Sequence, residues 1–135
     1  NLNMLCEQIL GTLSDEQFKN LKVDYVDIEW HEAFKKLHKK KTQEGRDLGI
    51  SLGNEILTRG LNQDDVLGVD GDTVIAVNIP ACEALVRGEG DYQFITPLDL
   101  PIKALMEKLG VKVERKTVKF DFKKKISSSI NAHTH

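Results

Sequence analysis

The stretch Val66-Leu67-Gly68-Val69-Asp70-Gly71-Asp72-Thr73-Val74-Ile75-Ala76-Val77-Asn78-Ile79 gives the clearest fold signal in the sequence. Asp70-Gly71 separates two runs of aliphatic and β-branched residues. An Asp-Gly pair between such runs is the strongest short-range signal of a β-hairpin, because both residues tolerate the backbone of a tight turn. The stretch therefore predicts two antiparallel strands.

The chain before this hairpin also predicts strands. Residues 21–30 largely alternate apolar and polar side chains, as a half-buried strand does, and a slip in that alternation at Tyr25-Val26 predicts a bulge. A turn at Gly45 separates a lysine-rich flank from a flank of alternating aliphatic residues, which predicts a second hairpin. These aliphatic residues are Leu48, Ile50 and Leu52. The sequence thus predicts an N-terminal all-β domain over residues 1–79.

Pro80 marks the expected domain boundary. Residues 82–87 and 92–95 predict two short strands, and residues 111–115 predict a third extended segment. Between them, Asp99 is an expected helix N-cap and Gly110 the glycine that ends the helix. The helix carries one apolar stripe, formed by Ile102, Leu105, Met106 and Leu109. Residues 80–122 therefore predict a small α+β domain, and residues 123–135 a polar tail.

The composition of the chain limits the classes of function that are possible. The chain has 135 residues, 40% of them hydrophobic and 30% charged, which is typical of a soluble globular protein. A net charge of −2 argues against a nucleic-acid partner, since phosphate binding needs a basic excess. No apolar run or signal peptide predicts contact with a membrane, and Cys6 and Cys82 form no CxxC motif, so a cytoplasmic protein with reduced thiols is expected.

The sequence contains no arrangement typical of an active site. We find no nucleophile paired with a base, no phosphate-binding loop and no pair of catalytic carboxylates, so the chain is not expected to be an enzyme. The aspartates at 64, 65, 70 and 72 lie in predicted turns, where aspartate is favoured for its hydrogen bonds to the backbone.

The most chemically distinctive residues are His133 and His135, separated by one residue at the end of the sequence. In an extended segment both imidazoles project to the same side and can share one metal ion. Two ligands on a mobile tail favour weak, exchangeable binding of nickel, zinc or copper, although such a tail can also simply be solvated. His31 and His38 lack a partner at metal-ligand spacing, and a surface or strand-face role is expected for them.

Several motifs occur together in an order that resembles a known family. They are the strand Val23-Asp24-Tyr25-Val26-Asp27-Ile28-Glu29-Trp30, the hairpin residues Thr42, Gly45 and Asp47, the turn Asp64-Asp65-Val66-Leu67, the segment Leu109-Gly110-Val111 and the terminal His-x-His. Taken together over nearly the whole chain, they resemble the urease accessory protein UreE family of nickel metallochaperones.

The resemblance implies a cytoplasmic homodimer that delivers nickel to a complex of the urease accessory GTPase and the urease apoprotein. It implies an N-terminal β domain similar to a chaperone peptide-binding domain, and a ferredoxin-like βαββαβ domain after it. It also implies a principal nickel ligand in a Gly-Asn-Arg-His motif of each subunit, with His133 and His135 as additional ligands. Zinc or copper could replace nickel as surrogates.

The sequence departs from the family pattern at Arg87-Gly88. The first helix of the ferredoxin-like domain, the Gly-Asn-Arg-His motif and the second strand are all absent there. We therefore expect a discontinuity of the chain at this point, with a Cα separation well beyond the 3.80 Å of a trans peptide. A tight antiparallel hairpin between Leu85 and Phe94 would contradict this expectation.

A second function remains open from the sequence. The chain could be a chaperone-like or adaptor β module that binds a protein partner without metal, in which the tail histidines are incidental. Nickel titration with and without His133 and His135 separates the two.

Overall fold

The structure is a computed structural model, and it describes residues 4–89 and 92–119 of the chain. The chain divides into two compact units, Asn1–Pro80 and Ala81–His135, which are described separately below. Within the described ranges, no helix is long and apolar enough to cross a membrane.

The first unit consists mainly of two small β-sheets. Its strands are β1 (Met4–Cys6), β2 (Gly11–Thr12), β3 (Lys22–Asp27), β4 (Leu37–Lys41), β5 (Asp47–Ser51), β6 (Asp65–Asp70) and β7 (Thr73–Asn78). One sheet has the order β1-β5-β4 and the other the order β2-β6-β7-β3. The β1–β5 and β3–β7 pairs are parallel, and the other pairs are antiparallel. The helical segments are short: 3₁₀ turns at Glu16–Phe18 and Trp30–Glu32, and helix α1 at Ile56–Arg59.

The predicted hairpin at Asp70-Gly71 is confirmed. Strands β6 and β7 pair with Asp70 opposite Thr73, which leaves a loop of two residues. Gly71 has a φ of 63°, a conformation that glycine adopts without the steric cost of a side chain. The hairpin around Gly45 is also confirmed, since β4 and β5 pair antiparallel with Lys41 opposite Asp47.

The predicted bulge at Tyr25-Val26 is wrong. Strand β3 pairs with β7 residue by residue, from Lys22 opposite Thr73 to Asp27 opposite Asn78, without a shift of register. Inward and outward side chains alternate regularly along β3. The buried, inward position is occupied by Asp24, whereas Val23 faces outward. The register shift in this sheet lies instead in β6, between Val66 and Gly68.

The core of the first unit is aliphatic. Burying each such side chain contributes about 1.5–3 kcal/mol relative to leaving it in water. The large buried residues include Val26, Ile28, Leu48, Ile50, Ile56, Leu61, Val66, Val74, Ile75, Val77 and Ile79. Because they come from both sheets and from α1, this core holds the two sheets together.

A charged cluster also connects the two sheets. Arg46, just before β5, donates from Nη1 to Oδ2 of Asp24 in β3 at 2.7 Å and from Nε to Oδ2 of Asp70 at the end of β6 at 3.0 Å. The Glu44 N–H donates to the other oxygen of Asp24 at 3.0 Å. These contacts with Asp70 and Asp24 raise the pKa of Arg46. They explain why a charged residue can occupy the inward position in β3.

The described part of the second unit is a three-stranded sheet with one helix. Its elements are β8 (Cys82–Glu89), β9 (Tyr92–Pro97), helix α2 (Leu100–Lys108) and β10 (Glu114–Val118), and the sheet order is β10-β8-β9, antiparallel throughout. The helix prediction is confirmed: the Asp99 side chain accepts the Ile102 N–H at 3.0 Å, and Gly110 follows with a φ of 77°. A β-rich first unit followed by a small α+β unit agrees with the predicted fold class.

The expected discontinuity at Arg87-Gly88 is wrong. Both residues lie within the continuous strand β8, where Arg87 stands opposite Phe94 and Gly88 opposite Gln93 of β9. The pairing extends inward through Val86 opposite Ile95, an aliphatic cross-strand pair of the kind that stabilises antiparallel strands. The two strands therefore form a direct hairpin.

Candidate functional site

The metal ligands predicted from the sequence, His133 and His135, lie outside the described residues. Within residues 4–89 and 92–119, no three His, Cys, Asp or Glu side chains are grouped so that they could hold a metal ion. The second unit also lacks the Gly-Asn-Arg-His sequence. The described part of one chain therefore does not form a complete metal site.

His38 has a structural environment. It is buried, and its Nε2 lies 2.9 Å from the carbonyl oxygen of Lys35, so Nε2 carries the proton and donates it. Burial lowers the pKa of His38. Nearby, Lys40 Nζ is 2.7 Å from Glu32 Oε1, and this contact lowers the pKa of Glu32. A neutral, hydrogen-bonded imidazole in this position fits the strand-face role expected from the sequence.

His31 and Cys6 differ from each other in accessibility. His31 is exposed and packs edge-on against Trp30, with ring centroids 5.6 Å apart. Cys6 is buried in β1, and burial raises the pKa of its thiol. Because the thiolate is the form that binds metal, Cys6 is a poor ligand in this setting.

The second unit carries an open apolar cleft. The cleft has a volume of about 250 Å³ and is lined by Leu85, Arg87, Phe94, Thr96, Met106 and Val113. Met106 brings helix α2 to the face of the sheet that carries Leu85 and Phe94. Phe94 nevertheless remains 74% exposed, so the cleft has no complete cover in the described chain.

Helix α2 exposes its apolar stripe. Leu105 is 55% exposed and Leu109 is 70% exposed, and no residue of the helix is fully buried. The sequence predicted this stripe correctly, but an apolar stripe ordinarily packs against a core. The exposed stripe and the exposed Phe94 are apolar surfaces that a partner could cover.

The first unit has a separate apolar surface. Leu5 in β1 and Leu37 in β4 are 58% and 70% exposed and line a shallow cleft of about 360 Å³ with Gly49, which lies between them in β5. Lys39 lies on the rim of the same cleft. Sequence reasoning missed this surface, because Leu37 is a lone leucine among lysines and Leu5 lies within the short apolar run Met4-Leu5-Cys6, and neither pattern indicates a shared exposed face.

The fold defines a small protein with a β-rich first unit and an α+β second unit. The model of the family "UreE urease accessory protein, N-terminal domain" matches residues 6–80. The urease accessory protein UreE of Helicobacter pylori strain G27 is 34% identical over 151 residues, which covers 94% of this chain and 88% of that protein. The chain belongs to the UreE family of urease accessory proteins.

Relatives from other species support the same family assignment. The urease accessory protein UreE of Helicobacter acinonychis strain Sheeba is 33% identical over 94% of this chain and 88% of its own length. The urease accessory protein UreE of Acetivibrio thermocellus is 30% identical over 86% of this chain and 88% of its own length. The similarity therefore extends into both units.

The relatives are longer within the aligned region. The alignment with the Helicobacter pylori protein extends over 151 residues, whereas 94% of this 135-residue chain is only about 127 residues. About 24 positions of that alignment thus have no counterpart here, which is enough for one average helix of 11–12 residues and one strand of 5–6 residues with their connections.

Proposed function

We propose that this protein binds nickel and delivers it to the urease apoprotein during assembly of the urease active site, together with the urease accessory GTPase. The observation that carries this proposal is membership in the UreE family, with similarity over 94% of the chain to proteins named urease accessory protein UreE. The protein acts by binding and release of a metal ion, without covalent catalysis.

We propose His133 and His135 as nickel ligands. Their one-residue spacing allows both imidazoles to reach the same ion. Since no ligand group of three forms within residues 4–89 and 92–119, a site with an ordinary number of ligands needs residues from outside those ranges or from a second copy. Zinc and copper would occupy the same imidazole ligands as surrogates.

The domain organisation of the proposal follows the two units. Residues 1–79 serve as the partner-binding β domain, residues 80–122 as an incomplete ferredoxin-like dimerisation and metal-binding domain, and residues 123–135 as the histidine-bearing tail. The proposal includes a homodimer in the cytoplasm. The uncovered apolar surface around Phe94 and helix α2 supports association through the second unit.

Calorimetric titration with Ni²⁺ tests the role of the tail. We expect the double variant His133→Ala and His135→Ala to bind fewer ions or to bind them at least tenfold more weakly than the unchanged chain. His31→Ala is the matched control, because His31 is an exposed histidine. Equal binding by the double variant would remove the tail from the metal site, and no binding by any form would contradict nickel delivery.

A second candidate function is an adaptor that binds a protein partner without metal. The observation that favours it is the exposed surface around Leu5 and Leu37 in the first unit. Urease activation reconstituted from purified components separates the two functions. An adaptor loses activation in Leu37→Lys and keeps it in the double histidine variant, whereas a nickel carrier loses activation in the histidine variant.

A further inference from the structure

The sheet β1-β5-β4 carries a groove with a glycine at its floor, on the face that points away from the core. Gly49 lies in the central strand β5, opposite Leu5 of β1 and opposite Lys39 of β4. Its neighbours Leu48 and Ile50 are buried, so a side chain at position 49 would project from the outer face. Because glycine has no side chain, a cleft of about 360 Å³ lies over β5. Its walls stand on β1 and β4, roughly 9.5 Å apart.

The backbone of β5 does not require a glycine at this position. The described glycines with a positive φ do not include Gly49, and both strand pairings of β5 pass through it without a shift of register. A glycine inside a regular strand weakens that strand, and such a position often marks the close approach of a ligand or of another backbone. Gly49 therefore provides room for a bound group and does not serve a turn or a bulge.

The walls of this groove are apolar and positively charged. Leu5 is 58% exposed on one side, and Leu37 is 70% exposed on the other. Lys39 forms no ion pair with a described carboxylate, because Asp47 pairs with Lys41 at 3.0 Å. A ligand that is complementary to both walls carries an apolar group beside a negative charge.

We infer that the first unit binds an extended, acidic segment of a protein partner along this groove. The inference rests on the partner-binding role of the first unit in the proposed function, and it specifies the chemistry of that partner. Leu37 and Lys39 are two residues apart in β4, so their side chains lie on one face about 6.6 Å apart. Side chains on one side of an extended partner have the same spacing. An apolar residue of the partner therefore contacts Leu37 and Leu5, while the acidic residue two positions further on pairs with Lys39.

A second copy of this chain is less suited to the groove. In a two-fold symmetric contact each surface faces itself, so the Lys39 side of one copy would meet the same positive charge in the other. Strand β4, at the end of its sheet, is also unsuited to pairing by its edge, since three of its five residues are lysines. The groove therefore favours a partner of opposite charge that lies on the face of the sheet.

A labelled peptide of Leu-Thr-Glu-Thr repeats tests the inference by fluorescence anisotropy with the full chain. This repeat places leucine and glutamate on the same side of an extended peptide. We expect Lys39→Glu to weaken binding at least fivefold, because a repulsion replaces an attraction, and Lys22→Glu to leave binding unchanged. Lys22 is the matched control, since it is an exposed lysine of β3 that does not line the cleft and its replacement changes the net charge equally.

Reversal of both charges supplies a second measurement. A peptide of Leu-Thr-Lys-Thr repeats should bind Lys39→Glu more tightly than it binds the unchanged chain. The apolar wall is tested by Leu37→Ser, which should weaken binding of the glutamate peptide. The same change at Leu57 of α1, which is 55% exposed and lies outside the cleft, should leave that binding unchanged.

Three results would overturn the inference. They are the absence of glutamate-peptide binding by the unchanged chain, equal binding by the unchanged chain, Lys39→Glu and Leu37→Ser, and a change of oligomeric state in Lys39→Glu by analytical ultracentrifugation, which would make a second copy the occupant. Nickel titration separates these results from the proposed function. Lys39→Glu should bind Ni²⁺ as the unchanged chain does, and loss of Ni²⁺ binding from the unchanged chain would contradict nickel delivery whatever the peptide result.

Discussion

Arg59 binds Asp65 through two parallel hydrogen bonds, from Nη1 to Oδ2 at 2.8 Å and from Nη2 to Oδ1 at 2.9 Å. The Asp65 side chain is buried, and its Oδ2 also accepts the buried Asn62 N–H at 2.7 Å. One carboxylate therefore fixes the end of helix α1 and the turn that leads into β6. This turn sets the start of β6, the first strand of the β6–β7 hairpin.

Removing this carboxylate should destabilise the first unit. Asp65→Ala leaves the buried Asn62 N–H without its acceptor, and losing a buried hydrogen bond to a charged group costs about 2–3 kcal/mol. Asp65→Asn retains one oxygen for that N–H, and because Arg59 is partly exposed, the lost ion pair should cost less than about 1 kcal/mol. Urea unfolding of both variants measures the difference. Equal losses would mean that the charge, and not the Asn62 hydrogen bond, dominates.

Gly60 should tolerate substitution less well than Gly71. Gly60 has φ 71° and ψ 163°, a region that is nearly restricted to glycine, and an added Cβ would lie 2.7 Å from a ring carbon of Phe34. Gly71 also has a positive φ, but an added Cβ meets no atom within 4 Å. We expect Gly60→Ala to cost about 2–4 kcal/mol and Gly71→Ala about 1 kcal/mol in free energy of unfolding. Similar losses of unfolding free energy in the two variants would exclude the contact with Phe34 as the cause of the loss in Gly60→Ala.

The stability of the first unit should fall in mild acid because of His38. Burial lowers the pKa of His38 below its ordinary value of 6.5. Below pH 6.5 the unfolded chain therefore binds a proton that the folded chain does not, so the free energy of unfolding decreases as pH falls from 6.5 toward the lowered value. Glu32 has an ordinary pKa of 4.5, and its pKa is lowered in the folded chain, so the stability that it contributes is lost only at lower pH.

Chemical unfolding in metal-free buffer at pH 7.5, 6.5 and 5.5 measures this dependence. His38→Gln should remove most of the decrease, whereas the same change at the exposed His31 should preserve it. A decrease of unchanged size in His38→Gln would assign the dependence to another group.

Nickel binding should weaken in acid. A ligating imidazole must be neutral, and the ordinary imidazole pKa is about 6.5, so protons compete with Ni²⁺ for His133 and His135 below that pH. The apparent dissociation constant, measured by titration at pH 8, 7, 6 and 5, should rise steeply below pH 6.5. Constant affinity down to pH 5 would exclude histidine as the main ligand.

Much of the fold could be predicted from local patterns. Asp70-Gly71 and Gly45 indicated their hairpins, and Asp99 with Gly110 indicated the limits of α2, because turn and cap preferences depend on adjacent residues. The register of β3 could not be predicted in this way. Asp24 is buried because of Arg46, which is 22 residues away, and a pattern of apolar residues contains no information about that pairing.

The site was less predictable than the fold. The terminal histidines were evident from the sequence, whereas the exposure of Phe94 depends on how far the other described elements cover its face of the sheet, and the exposure of Leu37 depends on the position of β4 at the end of its sheet. The family pattern predicts the discontinuity at Arg87-Gly88, which is wrong, because residues 82–87 and 92–95 have the composition of strands that can pair directly and do so.

The parallel pairing of β3 with β7 has a consequence for synthesis of the chain. Lys22 pairs with Thr73 and Asp27 with Asn78, so β3 gains its neighbour in the sheet only when the last strand of the first unit is complete. Until Asn78 has left the ribosome exit tunnel, this unit cannot close, and the newly made β3 remains an unpaired strand. Contacts so distant in sequence form slowly, because the intervening loop must be closed first. A nascent chain stalled before Thr73 would thus be a target for chaperones and proteases, whereas one released beyond Pro80 contains every strand that its first unit requires.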